Sequence, residues 1–265
     1  MKSLARWSAT LGLMGCTIFG SVVGGNLDAL ALSQDEIVQK LSTVPVFMIT
    51  DEEGKMIGLS LTPPNQEQTE QNTQPFFAVF IAQDDATAAI ENLQNASPEL
   101  EDKLRTVVLP LGEAYQLIRS NQEEESPPFV FVAEQEQLRS AATLLQAQEE
   151  KPELSLITVP LFHFVNREDG AYVTVSNGDN GTQKIPLFFD KEEAQRLLET
   201  IQQRQSDSDV EIKVSFLHQW IRVFENSDDE ALNLIELVPL PESAEFVRKF
   251  LTELQQRQQQ QQQQQ

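Results

Sequence analysis

The side chains that most often carry catalysis are scarce in this sequence. Only two histidines are present, His163 and His218. His163 stands between two phenylalanines in a strand-like segment and His218 opens a short helical pattern, so a structural role is predicted for both. The single cysteine, Cys16, falls in a predicted export signal. A mature chain without it has neither a cysteine nucleophile nor a thiolate metal site.

Motifs for catalysis or cofactor binding are also missing. The sequence contains no G-x-S-x-G, S-x-x-K or H-E-x-x-H motif, no Gly-rich phosphate loop and no dinucleotide fingerprint. The acidic runs 207–209 and 228–230 lack the spacing and terminal glutamate of a calcium-binding loop. The net charge of −22 repels phosphate and excludes nucleic acid as a partner. We therefore predict no enzymatic activity, no metal, no cofactor and no small-molecule substrate.

Clustered aromatic side chains are the remaining candidates for a function. Neighbouring residues on a strand point to opposite faces of the sheet, so adjacent phenylalanines place one ring on each side. A ring on a covered face belongs to the core, whereas a ring on an open face marks a protein-binding patch. Both interpretations stay open for these side chains. The candidate protein-binding residues are Phe76, Phe77, Phe80, Tyr115, Phe162, Phe188, Phe189 and Trp220.

An internal repeat indicates the elements that position these aromatics. The motif Val-Pro-Val-Phe at 44–47 returns as Val-Pro-Leu-Phe at 159–162, an offset of 115 residues. The Pro-Phe-Phe of 75–77 aligns with the Pro-Leu-Phe-Phe of 186–189. Two further segments, 105–118 and 131–145, return at 211–224 and 237–251, both at an offset of 106. Four matched segments in one order predict a duplication.

Each copy has the pattern β-β-β-α-β-α-β-α. A turn containing Gly54 or Gly170 joins the first two strands. Asp84 or Asp190 is predicted to cap the helix after the third strand, because a carboxylate accepts hydrogen bonds from the free amides there. Strands mixed with helices in this order predict an α+β fold of two pseudo-symmetric repeats with mixed sheets.

The first 31 residues predict a secretory signal peptide. Lys2 and Arg6 supply the positive charge, an apolar run spans 11–23, and Ala-Leu-Ala at 29–31 offers a cleavage site. The run is shorter than the ~20 residues of a spanning helix. Two alternatives stay open: a lipoprotein box ending at Cys16, which would carry lipid, and an uncleaved anchor.

The rest of the chain divides at changes of pattern. Ser33 and Glu36 predict a capping box for a short helix within 32–43. Repeat 1 is assigned to 44–150 and repeat 2 to 151–254. Residues 255–265 are a low-complexity glutamine tail. The polar stretches 63–74 and 121–128 are predicted surface loops.

These segments together resemble a known family. VPVF, FFAVFIAQDDATAAIENL, RTVVLPLGEAYQLI, VPLF and KIPLFFDKEEAQRLL are similar to segments of the twenty-two-kilodalton subunit of the translocon at the inner chloroplast envelope. The resemblance covers about 44–254, and the bacterial-type signal resembles that of the cyanobacterial members. These motifs are strand and helix patterns rather than catalytic signatures.

The resemblance implies a butterfly-like protein of the periplasm, with the thylakoid lumen as the alternative location. It implies a chaperone-like factor in protein transport and outer-membrane biogenesis that binds unfolded precursors through apolar surface. The expected partners are precursor proteins and the outer-membrane β-barrel assembly machinery. The alternative is a structural adaptor subunit of a translocation or assembly complex, without chaperone activity. The family offers no catalytic residues to carry over.

Overall fold

The structure, a computed structural model, describes only part of the chain. The described residues are 7–12, 32–60, 75–100, 102–121, 127–148, 158–177, 182–204, 209–250 and 252. Within these ranges no helix has the length and apolar character needed to cross a membrane. The predicted loop 63–74, most of the loop 121–128, Cys16 and the glutamine tail lie outside the described residues. So does most of the predicted signal.

The described ranges contain eleven strands and seven helices. The strands are β1 (Trp7–Gly12), β2 (Pro45–Asp51), β3 (Gly58–Ser60), β4 (Pro75–Phe80), β5 (Leu104–Pro110), β6 (Phe129–Val132), β7 (Pro160–Asn166), β8 (Thr174–Asn177), β9 (Thr182–Phe188), β10 (Val210–Phe216) and β11 (Ile235–Val238). The helices are α1 (Gln34–Leu41), α2 (Gln83–Ala96), α3 (Leu111–Ser120), α4 (Gln135–Ala147), α5 (Lys191–Arg204), α6 (Leu217–Asn226) and α7 (residues 241–250). From β2 onwards, this order confirms the predicted pattern in both copies.

The chain divides into two compact units. Unit 1 contains Met1–Lys40 and Gln135–Val238, and unit 2 contains Leu41–Glu134 and Pro239–Gln265. The sheet of unit 1 has the order β1-β8-β9-β7-β10, and β11 also pairs with β9. The sheet of unit 2 has the order β3-β4-β2-β5, and β6 also pairs with β4. Both sheets are mixed, as predicted, because β11 and β6 run parallel to their partners while the other pairs are antiparallel.

Equivalent contacts in the two units support the duplication but correct one part of the alignment. Phe47 pairs with Phe80 in unit 2, and its counterpart Phe162 pairs with Phe188 in unit 1. Phe188 therefore corresponds to Phe80, not to a residue of the Pro-Phe-Phe segment at 75–77. The repeat offset in this strand is 108 residues, because the loops before it differ in length.

The last helix of each sequence repeat belongs to the other repeat's unit. In α4, Ala141 and Leu145 join the unit 1 core that contains Phe162. In α7, Phe246 packs on Phe47 of unit 2 with ring centroids 5.6 Å apart. The repeat boundaries predicted from the sequence and the compact units thus divide the chain differently.

A polar residue at the same position of α4 and α7 fixes each helix to its unit. Gln137 accepts a hydrogen bond from the backbone N–H of Lys191 at 2.9 Å. Its counterpart Ser243 donates to the backbone oxygen of Ile81 at 3.1 Å. Both side chains are buried, and both bonds reach the junction of the third strand with the following helix. Each helix is therefore tied to one place on its sheet by a bond that burial makes costly to break.

The helix caps confirm two of the three predictions made for them. Asp190 caps α5, because its Oδ1 accepts the N–H of Glu193 at 2.7 Å. The prediction for Asp84 is wrong: α2 begins at Gln83 after Ala82, which makes no side-chain cap, and Asp84 lies within the first turn. At α1, Glu36 Oε2 accepts from the N–H of Ser33 at 2.8 Å, as predicted for a capping box.

The two predicted glycine turns are also present. Gly54 has φ +83° and Gly170 has φ +72°. A side chain at either position would be strained in this left-handed backbone conformation. At each turn the chain reverses direction between the first two strands of the copy, and glycine adopts the backbone conformation that this reversal needs.

Candidate functional site

An apolar groove of about 440 Å³ lies in unit 2 beside the edge strand β5. Three segments form it: the turn after α1 with the start of β2, the end of β5, and one face of α7. The lining residues are Ser42, Thr43, Pro45, Val108, Leu109, Pro110, Ala244, Val247 and Phe250. None of these side chains carries a charge. The groove is therefore a neutral surface in a protein with a net charge of −22.

The spacing of apolar residues in α7 positions one side of the groove. Phe246 and Phe250 are four residues apart, and their rings stack with centroids 6.2 Å apart. Phe246 packs against the unit 2 core, whereas Phe250 lines the groove and keeps 41% of its surface exposed. One helix thus closes the core with one ring and presents the next ring to solvent.

The strand β5 forms the other side. Its residues alternate, so Val108 packs against the unit 2 core while Val107 is 43% exposed. The groove follows the last three residues of the strand. An apolar strand edge and an exposed ring therefore face the same space.

Seven of the eight candidate residues from the sequence are buried, and only the ring of Phe77 is half-buried. The buried seven are Phe76, Phe80, Tyr115, Phe162, Phe188, Phe189 and Trp220. Adjacent rings such as Phe188 and Phe189 are both buried because both faces of the sheet are covered. In the folded chain these seven rings are core residues and are closed to contact from outside.

Phe77 is the one candidate among the eight that is not buried. Its ring lies 5.2 Å from that of Phe129 on the paired strand β6. It does not line the groove. The predicted candidates therefore do not assemble into one surface.

His163 lies in a buried polar cluster of unit 1. Its Nδ1 is 3.3 Å from Ser215 Oγ, which also accepts the indole N–H of Trp220 at 2.8 Å. The ring of Tyr172 stacks on His163 with centroids 4.9 Å apart. Burial lowers the pKa of His163 to about 4 and raises that of Tyr172 to about 12. A hydroxyl beside an imidazole has the components of a nucleophile and its base, but here the imidazole is buried and Ser215 is half-buried, which fits the structural role predicted for His163.

Metal binding has no support in the described part of the chain. No group of three or more His, Cys, Asp or Glu side chains there is arranged to hold an ion.

The groove residues are not among the candidates predicted from the sequence. The helical spacing of Ala244, Val247 and Phe250 is visible in the sequence, but the match of 237–251 to 131–145 predicts only that a helix ends the second repeat. At the position equivalent to Phe250, α4 has Leu144, which packs against the unit 1 core. The two helices thus differ in that α7 has the ring of Phe250 where α4 has leucine, and this ring lines the groove.

Comparison with known proteins agrees with this fold. The sequence profile of the Tic22-like family matches residues 2–249. The solved structure of Anabaena Tic22, a protein transport protein, is similar at a TM-score of 0.69 and 26% identity, over 82% of this chain and 97% of that one. Tic22 from Plasmodium falciparum shares the fold at a TM-score of 0.60 and 20% identity, over 82% of this chain and 98% of that one. No curated protein sequence matches significantly. Because the family profile spans nearly the whole chain, this protein belongs to the Tic22-like family.

Proposed function

We propose that this protein acts in protein transport by holding apolar segments of unfolded polypeptide in the groove of unit 2. The observation that carries the proposal is the uncharged groove with the exposed ring of Phe250. Unfolded chains share apolar side chains and little else, so a site that serves them is apolar and tolerant rather than a polar pocket. A strongly acidic surface keeps a protein soluble while it exposes such area. The similarity to Anabaena Tic22, a protein transport protein, supports the same role.

The proposed setting is the periplasm, with the thylakoid lumen as the alternative. The basic, apolar and A-x-A segments of the first 31 residues support export. There the protein would act as a chaperone for precursors of outer-membrane β-barrels and pass them to the barrel-assembly machinery. Crosslinking in intact cells, followed by identification of the trapped proteins, tests both the place and the partners.

The export step gives the first expected result. Cleavage after Ala31 leaves a mature chain that starts at Leu32, because small residues at 29 and 31 fit the signal peptidase. Intact-mass measurement of the protein from the envelope fraction checks this. A mass that includes lipid on Cys16, or the uncleaved chain, would contradict it.

The groove gives the second expected result. Phe250→Gln should weaken the binding of an unfolded barrel protein about fivefold to tenfold, because an aromatic ring that lines a binding groove is a typical anchor for a partner. Leu117→Gln is the matched control: Leu117 is 40% exposed, lies in the same unit and does not line the groove. It should leave binding unchanged. Affinity is measured by titration with the unfolded client, and activity by suppression of client aggregation.

The same experiment separates the chaperone from an adaptor. An adaptor binds folded subunits of a complex and leaves aggregation of the unfolded client unchanged. Recovery of a fixed set of folded envelope proteins, together with no effect on aggregation, would replace the chaperone proposal. Equal affinity of the Phe250→Gln variant and the unsubstituted protein would remove the groove from it.

A further inference from the structure

Resting on the proposed function, we propose that the groove captures its client by strand addition. The captured segment would lie along the outer edge of β5 and extend the unit 2 sheet by one strand. β5 ends the sheet order of unit 2, and no described strand pairs with its outer edge. Main-chain hydrogen bonds would then supply affinity that does not depend on the client's sequence.

The register of β5 shows which backbone groups face outward. The N–H of Leu111 donates to the oxygen of Val44 at 2.7 Å, which fixes the phase of the antiparallel β2–β5 pair. Hydrogen-bonded pairs then fall at alternate positions, and the residues between them point their N–H and C=O groups away from β2. Thr106 and Val108 are such residues. Both groups of each, and the oxygen of Pro110, therefore face the outer edge, where Val108 and Pro110 also line the groove.

On the equivalent edge of unit 1, an outward-facing backbone oxygen accepts a hydrogen bond from a side chain. The corresponding strand β10 pairs with β7 in the same phase, because the N–H of Leu217 donates to the oxygen of Val159 at 2.9 Å. Ile212, the counterpart of Thr106, thus faces outward, and its oxygen accepts the side-chain amide of Gln148 at 3.1 Å. The outward-facing oxygen at this position of the repeat therefore accepts a hydrogen bond from outside the sheet.

The groove also defines the chemistry of the added strand. Side chains of a strand alternate between faces, so every second residue of the client would point towards α7, where Ala244, Val247 and Phe250 lie. Those residues must be apolar. The other residues lie on the face of Val107 and are less restricted. Alternation of this kind is the pattern of a transmembrane β-strand.

Charge further restricts which client segments can bind in the groove. The groove is neutral and the protein carries a net charge of −22, so it repels acidic segments and tolerates neutral or basic ones. The predicted occupant is an extended segment with an apolar residue at every second position and no Asp or Glu. This is the class of segment that an unfolded β-barrel precursor offers.

Backbone-methylated peptides test the mode of binding. The probe is a synthetic peptide of about ten residues, the length of a transmembrane β-strand, that alternates Val with Ser or Lys. Two further peptides carry N-methyl groups on all the Val or on all the Ser and Lys positions. Only one set of N–H groups can face β5, and a one-residue slip would turn the apolar side chains to the wrong face. One methylated peptide should therefore bind at least tenfold more weakly, and the other should bind like the parent.

A pair of proline variants tests the location. Val108→Pro removes an outward N–H but no bond to β2, and proline is tolerated on such an edge. It should weaken peptide binding at least tenfold. Val214→Pro is the matched control at the equivalent position of β10 in unit 1 and should leave binding unchanged. Circular dichroism checks that each variant folds. If Val108→Pro does not fold, the methylated peptides still test strand addition on the unsubstituted protein.

The outcomes separate strand addition from the proposed function. Equal binding of both methylated peptides would overturn strand addition, as would equal losses in the two proline variants. Binding of whole unfolded clients with no binding of the alternating peptide would also overturn it, yet leave the groove's function standing. Failure of both clients and peptide to bind would remove the proposed function itself.

Discussion

Replacing Phe162 by alanine is expected to destabilise unit 1 by about 3–5 kcal/mol, the usual cost of deleting a buried aromatic ring. Phe162 is fully buried, pairs with Phe188 across the sheet, and belongs to the core that α4 completes. Unfolding in urea, followed by the fluorescence of Trp220, measures the change. In a chain that starts at Leu32, Trp220 is the single tryptophan, and it lies in unit 1.

Two variants make this result specific. Phe162→Leu keeps most of the volume and should cost less than Phe162→Ala. Phe77→Ala should also cost less, because its ring is only half-buried. Client binding per folded molecule should be unchanged in all three. An alanine variant at Phe162 that keeps its stability but loses client binding would restore this ring as a contact.

Stability of unit 1 should also fall as the solution is acidified from about pH 6.5 to about pH 4. Burial is the main reason that the pKa of His163 falls to about 4; a hydrogen bond with the backbone of Leu161 opposes the shift, and the positive charge of Lys213 adds to it. The unfolded chain has a histidine pKa near 6.5, so as pH falls it takes up a proton that the folded chain refuses. The free energy of unfolding therefore decreases across this window by about 3 kcal/mol at most, and this histidine contributes no further loss below it.

The variant His163→Met isolates this effect. Methionine stands at the equivalent position of unit 2, as Met48, where it is buried. The carboxylates titrate in both proteins, so the difference in urea midpoint between the variant and the unsubstituted chain reports His163 alone. His218→Gln is the comparison variant: desolvation and Arg222 also lower the pKa of His218, but its side chain is exposed, so its replacement should change the pH dependence less than that of the buried His163. Parallel pH dependences for His163→Met and the unsubstituted protein would show that His163 is already solvated.

Much of the fold could be predicted from the sequence because its signals are local. Gly54 and Gly170 lie in turns whose left-handed backbone conformation favours glycine, and Asp190 accepts a hydrogen bond from a free amide at the start of α5. The duplication was visible because equivalent positions must fill equivalent places in two similar cores. Asp84 was misplaced because the helix starts two residues earlier than predicted, at Gln83 after Ala82. Phe76 and Phe77 were aligned with the wrong residues of the second repeat, because short runs of phenylalanine can be matched in more than one register.

The groove and the units could not be predicted in the same way. Periodicity shows which face of α4 or α7 is apolar, but not which sheet that face covers. Leu145 belongs to repeat 1 and Phe246 to repeat 2 in the sequence, whereas each packs in the other repeat's unit. The burial of Phe188 and Phe189 together depends on cover for both faces of the sheet, and for Phe188 part of this cover comes from Ala141 and Leu145 of α4.

The exchange of last helices has a consequence for the order in which the chain acquires structure. Unit 2 starts at Leu41 but includes Pro239–Gln265, so a chain that emerges from its amino end cannot complete that unit until α7 has emerged. Until then Phe47 lacks Phe246, and Ile81 lacks the hydroxyl of Ser243. Unit 1 is complete once Val238 has emerged. Contacts of such long sequence separation slow folding, so the half that emerges first should be the half that matures last.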